Sequence, residues 1–181
     1  MKMEMRFFVN LIGCILIAIF INSCASTVPK PEFSKPMAPE SKITSIDEVK
    51  VQVEAGKKVS ITESEKLRVA EKIKQKIDLR KIKNSSNSTA KTYEIVLVIT
   101  KYEKGNAFAR AMLAGLGQIH INGDVEVFKI PGRVLLSNFS IKKTFAWGGI
   151  YGGSTHMEDI EAIFADGVAA TLTGQSEEKK E

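Results

Sequence analysis

Cysteine is almost missing from this chain, with two residues in 181, Cys14 and Cys24. Both lie ahead of the part that has the composition of a folded domain. That domain therefore has no disulfide to staple it and no thiol to act as a nucleophile. Histidine is as scarce, with only His120 and His156. Alternation puts His120 on the solvent face of a strand, and His156 falls in the first turn of a helix. Two histidines, with no cysteine and no acidic residues at ligand spacing, make no zinc site. No serine sits in a strand-to-helix elbow and no Gly-Lys-Ser/Thr occurs. The third glycine of a dinucleotide fingerprint begun at Gly115-Leu116-Gly117 would fall at His120. Asp124 and Glu126 share one strand face, as exposed charges commonly do. These absences predict a protein that is not an enzyme and that carries no metal and no cofactor.

What the chain does have begins at its N-terminus. Lys2 and Arg6 precede the apolar stretch Phe7 to Ile21, broken only by Asn10. A positive end followed by an apolar core is the order of an export signal. The stretch is shorter than the roughly 20 residues a helix needs to span the hydrocarbon core, which argues against a retained transmembrane helix. Ile21-Asn22-Ser23-Cys24 follows: a branched apolar residue, a variable one, a small one and a cysteine. This resembles the lipobox of bacterial lipoproteins, with Asn22 departing from the usual small or apolar choice. The resemblance implies diacylglyceryl transfer to the Cys24 thiol, cleavage after Ser23 and acylation of the new amine, palmitate being one such chain. Residues 1–23 are then the signal peptide, and Cys24 anchors the protein in a membrane. Several acyl chains at about 0.8 kcal/mol per buried CH₂ hold a protein firmly. Ala25, in place of an aspartate, implies by the same resemblance the outer membrane, facing the periplasm.

Four of the five prolines, Pro29, Pro31, Pro36 and Pro39, fall just after the anchor. Mixed with Lys, Glu and Ser, residues 24–44 read as a semi-extended tether. At about 3 Å per residue it would hold the domain some tens of ångströms off the membrane. Residues 174–181 read as a disordered polar tail, and 45–173 have the size of one domain with a real core. The formal charge is +5 for the whole chain, and loss of Lys2, Arg6 and Glu4 leaves a mild positive excess. That excess serves solubility, with a weak attraction to anionic lipid head groups or wall polymers, and implies no nucleic-acid partner.

Within 45–173, Val49, Val51 and Val53 alternate with polar residues as a half-exposed strand does. Thr62 and Glu65 form a capping box that opens a helix with a buried stripe of Leu67, Ala70, Ile73 and Ile77. Lys66, Arg68, Lys72, Lys74 and Lys76 surround that stripe. Ile95-Val96-Leu97-Val98-Ile99 is apolar on both faces, the pattern of a central strand covered twice, by helices and by helices or a partner. Ile119, Ile121, Val125 and Val127 mark a half-exposed strand. Pro131-Gly132 suits a type II turn into an antiparallel strand over 134–145. Thr155 and Glu158 form a second capping box, and the last helix buries Ile160, Ile163, Phe164, Val168 and Leu172. The order strand, helix, three strands, helix predicts a single small α+β domain, its sheet mostly antiparallel with helices on one face.

Two segments fit neither pattern. In Gly105 to Gly117, Ala107, Ala111 and Gly115 fall four apart and make a small-residue ridge suited to close packing, with Arg110 as the only charge. In Phe145 to Gly153, glycines alternate with Phe145, Trp147 and Tyr151, aromatics able to stack on a sugar or a partner side chain.

The run Tyr93 to Arg110, followed by Gly115-Leu116-Gly117, resembles the family described as domain of unknown function 4410. The shared features are an apolar strand, a Lys-Gly-Asn turn at Lys104-Gly105-Asn106, the arginine at 110 and a glycine-rich stretch, with likeness over about residues 45–173. Pro131-Gly132 departs from the more polar turn expected there. The resemblance implies small envelope lipoproteins and names no substrate. Taken together, the residues predict a membrane-anchored, non-enzymatic envelope protein. It would bind a protein partner or itself through its half-open sheet and the Gly105–Gly117 segment, with Ala107, Arg110, Ala111 and Gly115 as the candidate contacts. The alternatives are a cell-wall glycan module using Trp147 and Tyr151 beside the basic helix and, less favoured, an exported hydrolase.

Overall fold

The computed structural model describes residues 29–81, 89–113 and 116–174. The expected signal peptide over 1–23, Cys24, Gly115 and the expected tail beyond Gly174 lie outside the described residues. The strands are β1 (Pro31–Lys35), β2 (Glu48–Ala55), β3 (Thr92–Glu103), β4 (Ile119–Ile130) and β5 (Val134–Phe145). The α-helices are α1 (Glu63–Arg80), α2 (Ala107–Met112), α3 (Gly149–Ser154) and α4 (Met157–Thr173), and a 3-10 turn spans Pro39–Ser41. One sheet in the order β1-β5-β4-β3-β2 is antiparallel throughout except for the parallel β2–β3 pair. α1 is the crossover that a parallel pair requires. It lies beside α4 on one face of the sheet.

The core lies between this helix pair and the sheet. Tyr93, Ile95, Leu97 and Ile99 of β3, Ile119, Ile121, Val125 and Val127 of β4, and Phe139 and Ile141 of β5 are fully buried there. Among the described residues the other face carries no helix. Its residues pair across strands: Asp124 accepts from Ser140 at 2.6 Å, Glu126 from Asn138 at 3.3 Å, and Arg133 donates to Glu94 at 2.9 Å. Val96 and Val98 belong to this open face, so the apolar run of β3 is covered by helices on one side and by polar neighbours on the other.

The capping box of α1 forms as the sequence predicts. Thr62 N–H donates to Glu65 Oε2 at 2.8 Å, and Glu65 N–H to Thr62 Oγ1 at 3.3 Å. The buried stripe, however, is Glu65, Val69, Ile73 and Ile77, one ridge at intervals of four, while Leu67 is 65% exposed. The adjacent ridge explains the rotation. Arg68, Lys72, Lys76 and Arg80 must face the carboxylates of α4, and this turns Leu67 out to solvent. Ile163 of α4 is likewise on the outside, and Ala165 and Ala169 take the inner positions. The helix is opened by His156 and Asp159 in place of Thr155 and Glu158, with His156 N–H donating to Asp159 Oδ2 at 2.9 Å. Thr155 instead donates its hydroxyl to the Tyr151 carbonyl at 2.8 Å. The β4–β5 link is not the simple type II turn either, because both Gly132 (φ 96°) and Arg133 (φ 49°) take positive φ.

The largest difference from expectation is at residues 31–43, which belong to the domain and not to a tether. β1 pairs along β5, with Pro31 opposite Ile141. Met37 and Ile43 are core residues, and Ile43 N–H donates to the Leu172 carbonyl at 3.1 Å. The prolines are compatible with this. Pro31 begins an edge strand and Pro39 begins a helical turn, places where a backbone N–H is not needed.

Glu65 also binds Lys104 of the β3–α2 link at 2.6 Å. Burial opposes its ionised form, but Lys104 and the Thr62 donors outweigh that and hold its carboxyl at about 2, below the ordinary 4.5. A carboxyl depressed in the folded state stabilises the fold above its unfolded pKa, and that contribution is lost as pH falls through the folded value. Stability to urea is therefore expected to decline between about pH 4.5 and pH 2. The Glu65→Gln variant is expected to show a smaller decline, as followed by circular dichroism.

Candidate functional site

The two segments that fitted no simple pattern come together at one end of the sheet. The pairings Glu103 with His120 and Ile119 with Phe145 align the end of β3, the start of β4 and the end of β5. α2 lies in the β3–β4 link and α3 follows β5, so the two short helices cap that end against each other. Of the ridge predicted from Ala107 and Ala111, Ala111 is half-buried against α3: a side chain at Gly153 would lie 3.1 Å from Ala111 Cβ and 3.7 Å from the Ala107 carbonyl oxygen. The Ala107 side chain is exposed. A Cβ at Gly152 would come within 2.1 Å of the Trp147 carbonyl oxygen, which makes glycine obligatory there.

Arg110 closes the assembly. It is 3% exposed, and among the described residues its guanidinium donates only to backbone carbonyls. Nε reaches Gly152 at 2.8 Å, and Nη2 reaches Thr155 at 2.9 Å. Nη1 reaches Gly117 at 2.7 Å and Lys104 at 3.3 Å. A planar fork of donors suits carbonyls arriving from several directions. Burial without a facing carboxylate lowers its pKa from the usual arginine value. Gly105 (φ 65°) turns the chain so that its carbonyl neighbours can close in, and Asn106 caps α2 by accepting from Ala109 N–H at 2.9 Å. The Gly105-Asn106 and Arg110 spacing noted in the sequence thus has a mechanical meaning: turn, cap and clamp.

The outer faces of α2 and α3 are apolar, with Lys104 and Asp159 at their margins. Phe108 is 71% exposed, Met112 67%, Ile150 93% and Tyr151 63%, and Leu113, Leu116 and Trp147 are exposed beside them. Trp147 and Tyr151 meet edge to face, with centroids 5.9 Å apart and planes at 81°, and Phe145 meets Tyr151 at 63°. A cleft of about 760 Å³ opens below them toward Thr155 and Ile160. The three aromatics thus pack on one another. They are perpendicular to one another and form no flat platform for a sugar ring.

The basic helix expected beside them is committed elsewhere. Glu161 of α4 is fully buried and went unmarked in the sequence reading. It accepts from Arg68 Nε (2.8 Å) and Nη2 (2.7 Å), Lys72 Nζ (2.9 Å) and the Tyr102 hydroxyl (2.6 Å). Burial alone would raise its pKa, but these donors together hold it below the ordinary carboxylate value. One turn further on, Arg80 Nε meets Asp166 at 2.8 Å. The signal was readable: basic residues at 68, 72, 76 and 80 form one helical ridge, and such a ridge needs an acidic counterpart. His120 lies on the open sheet face with Nδ1 3.0 Å from Thr144 Oγ1, its pKa lowered by burial and by Lys101. Among the described residues no cluster of three or more His, Cys, Asp or Glu is placed to hold a metal ion. No described helix is long and apolar enough to cross a membrane.

A five-stranded, mostly antiparallel sheet with two long helices on one face and a clamped helical tip defines a small α+β class of domain. Residues 37–149 match the family model described as "Domain of unknown function (DUF4410)", and the chain belongs to that family. No curated protein matches the chain. Among solved structures, a variant PelC dodecamer from Paraburkholderia phytofirmans superposes with a TM-score of 0.53 at 8% identity, covering 83% of this chain and 99% of that one. A second PelC dodecamer from the same organism gives 0.51 at 7% identity, covering 81% and 98%. Protein XCC0632 from Xanthomonas campestris gives 0.47 at 11% identity, covering 80% and 95%. At these identities the likeness is one of fold.

Proposed function

We propose that this protein is a non-enzymatic lipoprotein of the bacterial cell envelope, anchored through acylated Cys24 to the outer membrane on its periplasmic side, where it assembles with copies of itself. The observation that carries the reading is the tip. The one charge of its two helices, Arg110, is consumed in clamping backbone, and its outer face offers apolar contact and no reacting group. The PelC structures of the same fold are dodecamers, which supports self-association over a single foreign partner. Ala111 is half-buried against α3, and the sheet offers a second surface for association. β2 is an edge strand of eight residues, and an unpaired edge is a ready template for another chain.

In-cell crosslinking followed by mass photometry of the detergent-solubilised full chain tests this. A discrete multiple of the protomer mass is expected. The N–H groups of Glu48 and Gly56 point to β3, so by alternation those of Val51 and Val53 point to the free edge. Substituting Val53 by proline is expected to reduce it to monomer while the β2–β3 ladder stands. A monomer in the native chain, with no self-crosslinks, would contradict self-assembly.

A further inference from the structure

The direction in which the chain enters the domain points to what the apolar tip meets. β1 runs antiparallel to β5, with Pro31 opposite Ile141. The chain preceding Pro31 therefore heads toward the Phe145 end of the sheet, the end capped by α2 and α3. From the level of Ile141 to that of Phe145 is four residues, about 13 Å along a strand. Pro29 packs against Gly167 of α4 beside the Ile141 side chain, and Cys24 lies five residues before it, a reach of at most about 18 Å. Measured from the level of Ile141, the lipid-bearing residue can therefore pass the end of the sheet by only about 5 Å, less than the thickness of one helix with its side chains. The anchor cannot hold the helical tip away from the bilayer.

The outer surface of the tip has the composition a membrane interface accepts. Arg110 is the only charged residue of α2, and α3 has none. Phe108, Met112 and Ile150 project from it, with Trp147 and Tyr151 at its margin. Trp and Tyr favour the headgroup level, where an apolar ring and a polar edge are both accommodated, and apolar side chains bury shallowly at the acyl boundary. The long helices, by contrast, present closely spaced charges.

We propose that the α2–α3 tip seats against the bilayer interface that holds the acylated Cys24, so that the protein is fixed to the membrane at two points, a lipid and an apolar foot. The proposal rests on the lipoprotein reading above. Arg110 and the glycines then have a purpose beyond folding: they keep an apolar, exposed foot in one shape.

Trp147 is the only tryptophan of the chain, so its fluorescence reports on this foot alone. Full-length acylated protein would be reconstituted into phosphatidylethanolamine–phosphatidylglycerol vesicles, with part of the lipid brominated near the headgroup end of the acyl chain. The expected result is a blue-shifted emission, loss of most of it to the brominated lipid and several-fold weaker quenching by aqueous iodide. Ile150→Asp and Met112→Asp, both at exposed positions, are expected to restore iodide quenching several-fold while the protein still floats with the vesicles. Protein that floats but shows no bromolipid quenching overturns the seating and leaves the anchor standing. Trp147 shielded from iodide yet untouched by brominated lipid also overturns it, and makes the tip a contact between copies. Failure to float, with no acyl group on Cys24, overturns the lipoprotein reading itself.

Discussion

Arg68→Ala is expected to lower the stability of the domain by about 3–5 kcal/mol, the cost of stranding a buried charge. Glu161 is fully enclosed between α1, α4 and β3, and Arg68 supplies two of its four donors. Without Arg68 the carboxylate keeps Lys72 and Tyr102 but loses its bidentate partner and has no access to water. The midpoint of thermal unfolding is expected to fall on the order of 10 °C. Removing the other partner is milder. In Glu161→Leu the two cations are left, and their side chains are 32% and 21% exposed, so they can hydrate. The double variant Arg68→Ala with Glu161→Leu is therefore expected to be more stable than Arg68→Ala alone, and a denaturant-based double-mutant cycle measures the coupling. The pH dependence has a definite sign. In the native protein burial opposes the ionised Glu161, but Arg68, Tyr102 and Lys72 hold its pKa below the ordinary value. The group therefore stabilises the fold above its unfolded pKa and loses that contribution as pH falls through the folded value. Arg68→Ala removes the leading donor and with it part of the contribution that acid would take away. The gap between Arg68→Ala and the native protein should thus narrow as the solution is acidified.

The second large effect is confined to the tip. Arg110→Met keeps much of the side-chain volume but takes this donor from the carbonyls of Gly152 and Thr155 and leaves Gly117 with Asn106 N–H alone. Hydrogen bonds to a charged group contribute about 1.5–3 kcal/mol each. Because they are shared by one side chain and relax together, a local loss of about 3 kcal/mol is expected. Hydrogen exchange should accelerate in residues 105–113 and 149–155 while β3, β4 and α4 keep their protection, since local stability need not follow global stability. Arg110→Lys is expected to rescue little, because three donors at one point cannot reach carbonyls that converge from α3, from the start of β4 and from the end of β3. If the whole domain unfolded with the tip, Arg110 would be a residue of the general core and not a local clamp.

What was legible in the sequence follows from which forces act locally. The alternation at Val49–Val53 and Ile119–Val127 gave strands because each residue's face is set by its neighbours two away. The capping box at Thr62–Glu65 was legible because all its atoms lie within four residues. Misreadings occurred where a distant partner decided. Leu67 and Ile163 look as apolar as their neighbours, but the Arg68–Glu161 and Arg80–Asp166 pairs fix the rotation of both helices. Proline content at 29–39 suggested a tether because composition cannot show that β5 offers an edge or that Met37 and Ile43 reach the core. In the candidate site, the small-residue ridge and the aromatic–glycine segment were each visible. That they pack on one another, with Arg110 as the link, depends on strand register that one sequence does not display.

The proposed anchoring of this domain through Cys24 is tested by metabolic labelling of the full chain with an alkyne fatty acid, followed by dye coupling and mass spectrometry of the processed N-terminus. Label on the native protein, a mature chain beginning at Cys24 and no label on Cys24→Ser are expected. An unlabelled native chain, or one cleaved elsewhere with Cys24 as a free thiol, would contradict it.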